Sequence, residues 1–190
     1  MGIPSYFSYI VKNHSQIIKK YSVFLNDHTI NNLYLDSNSI IYDSYRIMLE
    51  TNSLLTKTKF ENKLIELICK QIEIYINIIK PNNTIFIAFD GVAPVAKMEQ
   101  QRSRRYKSNL EKKIISQLKN TTSNNVWDKT CITPGTKFME KLDKNVNKFF
   151  KNKENKYNVD NIIISGPSEC GEGEHKLFDY IKHNKFFHYS

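Results

Sequence analysis

The sequence predicts a mostly parallel, three-layer α/β fold, on three observations. Three short, apolar, β-prone runs occur at Asn32–Asp36 (NLYLD), residues 85–89 (IFIAF) and Asn161–Ser165 (NIIIS). Each run closes on polar turn or capping residues, and a stretch with helical spacing follows. Strands that alternate with helices pair in parallel and need helices on both faces of the sheet. The 190 residues, 40% of them hydrophobic, suffice for one sizeable core.

Each element has its own justification. Residues 4–20 begin at Pro4 and place Tyr6, Phe7, Ile10, Val11, Ile17 and Ile18 among polar residues. That pattern fits one or two short amphipathic helices, with the aromatics expected to pack on the sheet. After the first strand, Asp36 leads into Ser37, Asn38 and Ser39, which suit a helix start. Residues 60–80 form the clearest helix, with Leu64, Ile65, Leu67, Ile68, Ile72, Tyr75, Ile76 and Ile79 in helical register. Pro81, Asn82 and Asn83 stop it, and Cys69 belongs to its core.

The second strand is closed by Asp90 and Gly91, and Pro94 suits the first turn of the next helix. On that helix Lys97, Gln101, Arg104 and Arg105 fall at i, i+4, i+7 and i+8, one face. The plain alternative is a solvated basic helix. Residues 109–119 continue as a polar helix, 121–125 form a loop that Trp127 anchors, and the turn Thr133-Pro134-Gly135-Thr136 starts a helix from Lys137. The Lys/Asn-rich residues 144–161 read as a solvated connector. Behind the third strand come Gly166-Pro167-Ser168 and Gly171-Glu172-Gly173-Glu174-His175, then a helix carrying Leu177, Phe178, Tyr180 and Ile181. Acidic residues in a first turn complement the helix dipole, and His175 reads as a packed or hydrogen-bonding residue.

The net charge of +9 and pI near 9.3 favour an anionic partner such as nucleic acid. Cys69, Cys131 and Cys170 lack paired spacing and read as reduced, partly buried thiols, not as a zinc site or disulfide frame. The five histidines show no metal-ligand spacing. No apolar run approaches the ~18 residues of a membrane span. No signal-peptide pattern opens the chain, and Tyr6 stands where myristoylation requires Ser or Thr. The expected compartment is intracellular, cytoplasmic rather than nuclear.

In parallel α/β folds ligands gather beyond the carboxyl ends of the strands, where Asp36, Asp90, Glu172 and Glu174 all fall. Two bare carboxylates ~4 Å apart repel by roughly 4 kcal/mol at an effective dielectric near 20. Four converging carboxylates therefore call for protons or divalent cations, and all-oxygen ligation selects Mg²⁺ or Mn²⁺. Phosphodiester hydrolysis is the chemistry such a site serves best.

Several motifs carry a resemblance to a known family. They are Met1-Gly2-Ile3-Pro4 with Tyr6-Phe7, Leu33 to Asn38, Asp90-Gly-Val-Ala-Pro94 through Arg105, Cys131 to Thr136, and Gly171-Glu-Gly-Glu-His-Lys176. In that order they resemble the XRN family of 5′→3′ exoribonucleases, over almost the whole chain. The resemblance implies a PIN-like, flap-nuclease-like fold over residues 1–190, and Mg²⁺-dependent removal of mononucleotides from single-stranded RNA bearing a 5′ monophosphate. By motif position Asp36, Asp90, Glu172 and Glu174 correspond to metal-binding catalytic residues. Lys97, Gln101, Arg104 and Arg105 correspond to the 5′-phosphate pocket. Tyr42 stands where the family carries a base-stacking His, and Tyr also stacks on bases. Ser39 stands where Gly is usual.

A further strand with an Asp-x-Asp pair, which the family places soon after the Gly-Glu-Gly-Glu-His helix, is not in this sequence. The expectation is an N-terminal segment of the exonuclease domain, incomplete at its C-terminus and weak alone. Its alternative is a catalytically incomplete module that binds 5′-phosphate RNA ends or needs a second polypeptide to complete the site. A DNA flap nuclease ranks below both.

Overall fold

A computed structural model describes residues 5–20, 23–24, 28–51, 55–119 and 127–184. Its centre is a three-stranded parallel sheet in the order β1 (Asn32–Asp36), β2 (Thr84–Ala88) and β3 (Asn161–Ser165). The strands are in register, so that Asp36, Ala88 and Ser165 lie side by side at the carboxyl edge. Every residue of β2 is buried, as a central strand of apolar residues with helices over both faces must be.

Strand alternation sends the two sets of side chains to different layers. Leu33, Ile85, Ile87 and Phe89 join the main core with α2 (Asn38–Thr51), α3 (Lys57–Ile79) and α5 (Lys137–Phe150). From α3 this core takes Leu64, Ile65, Ile68, Cys69, Ile72 and Ile76, and from α5 Phe138, Met139, Leu142, Val146 and Phe150. Tyr34 and Phe86 face the other way, with ring centroids 6.2 and 4.8 Å from Tyr180 of α7 (Gly173–His183). The fold is thus the three-layer α/β arrangement read from the sequence, consistent with a PIN-like domain.

Local chemistry sets the boundaries. Lys80 takes the left-handed conformation, closes α3 through its N–H to the Ile76 carbonyl at 2.8 Å, and Pro81 blocks continuation. Thr136 caps α5 by accepting from the Met139 N–H at 3.4 Å. Trp127 is buried against Tyr45, Phe60 and Phe138 and donates to Glu61 at 3.2 Å, which fixes its own position beside α3 and α5. The connector is less solvated than its composition suggests, because Tyr157, on the short helix α6 (Glu154–Tyr157), and Val159 both join the core.

Three expectations need correction. Helix α1 (Tyr6–Asn13) forms, and a 3₁₀ turn (Ser15–Ile17) follows, but α1 buries none of its residues. Tyr6, Phe7 and Tyr9 are exposed, not packed on the sheet. Tyr75 keeps helical spacing but sits on the outer side of α3 and is exposed. Cys170 is exposed rather than partly buried, whereas Cys69 lies in the core as expected. The Met1–Pro4 motif and the loop at 121–125 lie outside the described residues.

Candidate active site at the carboxyl edge of the sheet

Asp36 is the last residue of β1, and Asp90 follows β2 by two residues. Asn38, the first residue of α2, holds them in fixed relation. Its side-chain amide donates to the Asp90 carboxylate, and its side-chain carbonyl accepts the Asp90 N–H at 3.1 Å. The Asn38 N–H reaches Asp36 Oδ1 at 3.5 Å.

The third strand delivers its acids through two backbone ties. The Gly91 N–H donates to the Gly171 carbonyl at 2.8 Å, and the Gly171 N–H to the Val92 carbonyl at 3.1 Å. A Cβ on Gly91 would lie 1.6 Å from the Glu169 carbonyl oxygen, so only glycine permits this approach. Lys176 closes the junction from below, donating to the carbonyls of Phe89 at 2.8 Å and Gly166 at 2.7 Å. With these ties in place the Gly173 N–H donates to Asp90 Oδ1 at 2.7 Å, at the N-terminus of α7.

Glu172, Glu174 and His175 bring one ligand atom each to within 4.8 Å of one another. Glu172 is buried at the N-cap of α7, yet its side chain does not cap the helix. Glu174 lies in the first turn of α7, where an acidic side chain complements the helix dipole. His175 is exposed and lies 3.9 Å from Glu172 Oε2, so it is not a packed residue.

A single cleft of about 860 Å³ is lined by Asp36, Asp90, Glu172 and Glu174, and also by Lys97, Gln101, Arg104 and Arg105 of α4 (Val95–Lys119). Tyr42 lines it too, half-exposed, with burial and the Asp90 charge holding its hydroxyl above the usual tyrosine range against the lowering by Arg105. All nine residues singled out in the sequence thus share one cavity. Ile132, just before the Thr133–Thr136 turn, and Pro134 within it line the same cleft. Arg104 and Arg105 also line a neighbouring recess of about 320 Å³, shared with Tyr42, Lys129 and Thr130.

The acidic half crowds like charge around Asp36. Partial burial, then Asp90, then Glu174 and Glu172, hold the Asp36 carboxyl above its ordinary range, against the lowering by the Asn38 N–H. A would-be Cβ at Gly173 lies 2.6 Å from Asp36 Oδ1 and 3.5 Å from Asp90 Oδ1, so both carboxylates reach one small space that a side chain would fill. Crowded anionic oxygens around such a space fit a hard divalent cation.

The sequence reading missed the residues that fix the geometry. Asn38 was legible only as a helix starter, and Gly173 and Lys176 only as parts of a motif. Gln100, which also lines the cleft, stands beside Gln101 but outside the i, i+4 series.

Sheet and cleft together define a parallel α/β domain with an acidic centre set against a cationic helix, an arrangement suited to phosphodiester chemistry. The chain belongs to the XRN 5′-3′ exonuclease N-terminus family, whose model matches residues 1–189. It is 36% identical to 5′-3′ exoribonuclease 1 of Saccharomyces cerevisiae, over 97% of this chain and 12% of that protein. Against the 5′-3′ exoribonuclease 1 of Homo sapiens the identity is 33%, over 97% of this chain and 11% of the relative. With 5′-3′ exoribonuclease 2 of Gallus gallus it is 30%, over 97% of this chain and 23% of the relative. The chain therefore spans less than a quarter of each of these three proteins. The family is one of divalent-metal-dependent enzymes that act on RNA. No helix among the described residues is long and apolar enough to cross a membrane.

Proposed function

We propose that this chain forms part of the catalytic centre of a 5′→3′ exoribonuclease that degrades single-stranded RNA from a 5′ monophosphate. One observation carries the reading: the four carboxylates and the Lys97, Gln101, Arg104 and Arg105 face line the same cleft. Lys97, Gln101, Arg104 and Arg105 bind the terminal phosphate, with the arginines gripping its oxygens in pairs and Lys97 adding a point charge. Tyr42 stacks on the terminal base. The terminal phosphate sets the register of the strand, so that the first linkage faces the acidic half. Asp36, Asp90, Glu172 and Glu174 hold Mg²⁺ or Mn²⁺, which when bound supplies Lewis-acid activation of water and of the leaving oxygen. Asn38 and the Gly173 N–H keep Asp90 aimed at that space throughout.

The test compares 5′-monophosphate and 5′-hydroxyl RNA oligomers in equilibrium binding to the 190-residue chain. A clear preference for the phosphorylated end supports the phosphate pocket, and equal affinity overturns it. Stimulation of mononucleotide release by Mg²⁺, lost on Asp90→Asn, checks the acidic half.

A further inference from the structure

Lys97 belongs to both halves of the cleft. Its position on α4 places it in the cationic wall, yet its ammonium lies 3.3 Å from Glu172 Oε2, in the acidic group. Both side chains are shielded, 25% and 11% exposed, so water screens this pair less than it would a surface pair. Arg104 and Arg105, by contrast, form no ion pair among the described residues, and both are exposed. Glu172 makes no capping bond to its own helix, and its Oε2 faces the Lys97 ammonium at 3.3 Å with His175 Nδ1 farther off at 3.9 Å.

We propose that the Lys97–Glu172 pair is a latch that couples the two subsites. The proposal rests on the phosphate and metal assignments above. With no divalent cation, Glu172 holds Lys97 back, and an incoming 5′ phosphate meets only part of its cationic wall. When Glu172 becomes a ligand, Lys97 is released toward the phosphate. The converse holds by linkage: a phosphate that draws Lys97 away takes from Glu172 its nearest cation, leaving it among Asp36, Asp90 and Glu174 with only His175 beside it, and that centre then takes a divalent cation more tightly. An end lacking a phosphate does not operate the latch, so the coupling itself discriminates between termini.

Direct attraction between a bound cation and a phosphate also produces coupling, so the experiment isolates the latch. The probe is a labelled RNA oligomer with a non-hydrolysable first linkage, carrying 5′ phosphate or 5′ hydroxyl, titrated in EDTA and in Mg²⁺. In EDTA, Glu172→Gln is expected to tighten 5′-phosphate binding by about fivefold or more, in the usual range of coupling factors. Glu174→Gln removes the same charge without touching Lys97, and its effect is expected to stay within about twofold, below that coupling range. In a Lys97→Met background the gain from Glu172→Gln is expected to vanish. Lys97→Met alone is expected to tighten Mn²⁺ binding, followed by electron paramagnetic resonance, because Glu172 has then lost its nearest cation. Melting curves confirm that each variant is folded. Equal effects of the two Glu→Gln changes, or a gain that survives in Lys97→Met, overturn the latch and leave the phosphate pocket standing. Equal wild-type affinity for both termini in both buffers overturns the pocket, and the latch with it.

Discussion

The two longest helices, α3 with 23 residues and α4 with 25, put similar lengths of chain to opposite uses. Helix α3 buries Phe60, Leu64, Ile65, Ile68, Cys69, Ile72 and Ile76 in the main core. Among the described side chains of α4 none is buried, and Tyr106, Leu110, Ile114 and Leu118 stand exposed. One helix spends its periodicity on the hydrophobic effect, the other on a row of donors facing a cleft. Regular spacing therefore identifies a face without saying what covers it; the side-chain chemistry on that face decides.

The contrast can be broken most directly through the core. Ile68→Ala is expected to cost 2–5 kcal/mol in urea unfolding, about the usual range for a fully buried aliphatic. Tyr106→Ala on α4 should stay within about 0.5 kcal/mol, and a comparable loss there would erase the distinction. The reverse pattern is expected in binding. Arg104→Ala with Arg105→Ala should weaken binding of 5′-phosphate ends by ~2–4 kcal/mol in sum, with little change for 5′-hydroxyl ends or in melting temperature. Equal loss for both ends would make α4 a general basic patch.

A smaller effect should follow from Gly173→Ala, whose new methyl would press on Asp36 Oδ1. Mn²⁺ affinity should fall about tenfold or more, as when groups that orient ligands are disturbed, and calorimetry would read it. The smallest effect concerns the polar side of α3. Glu73 accepts from Lys156 at 2.5 Å and from Tyr157 at 2.6 Å, and these bonds hold its carboxyl below the ordinary range. Tyr157→Phe should cost about 0.5–1.5 kcal/mol. Because the folded value is lowered, the Glu73 contribution is complete above the ordinary glutamate range. It is lost as pH falls through the lowered value. Acid titration of stability should thus show a wild-type loss that Glu73→Gln lacks.

Much of this architecture is legible in the sequence. The three strands announced themselves as β-branched and aromatic runs, and helix 60–80 by its apolar stripe, because burial leaves a period in the sequence. The Lys97, Gln101, Arg104 and Arg105 face was legible for the same reason. What left no period was hidden. Asn38 bridges two strand ends through a side chain that a capping residue would equally provide. Glu172 faces Lys97 at 3.3 Å and makes no capping bond to its own helix, a pairing across 75 positions that leaves no pattern in the sequence. The exposed aromatics of α1 misled because an amphipathic pattern predicts an apolar face but not its cover.

The in-register parallel strands carry one further consequence. Asp36, Asp90 and Glu172 arrive on separate strand ends, and the bonds that align them join residues 52 and 83 positions apart. Contacts of such long range form late and slowly, after the entropy of closing large loops has been met. The acidic centre can assemble only once α7 has docked beside the first two strand ends, so its carboxylates come together in one step and not strand by strand.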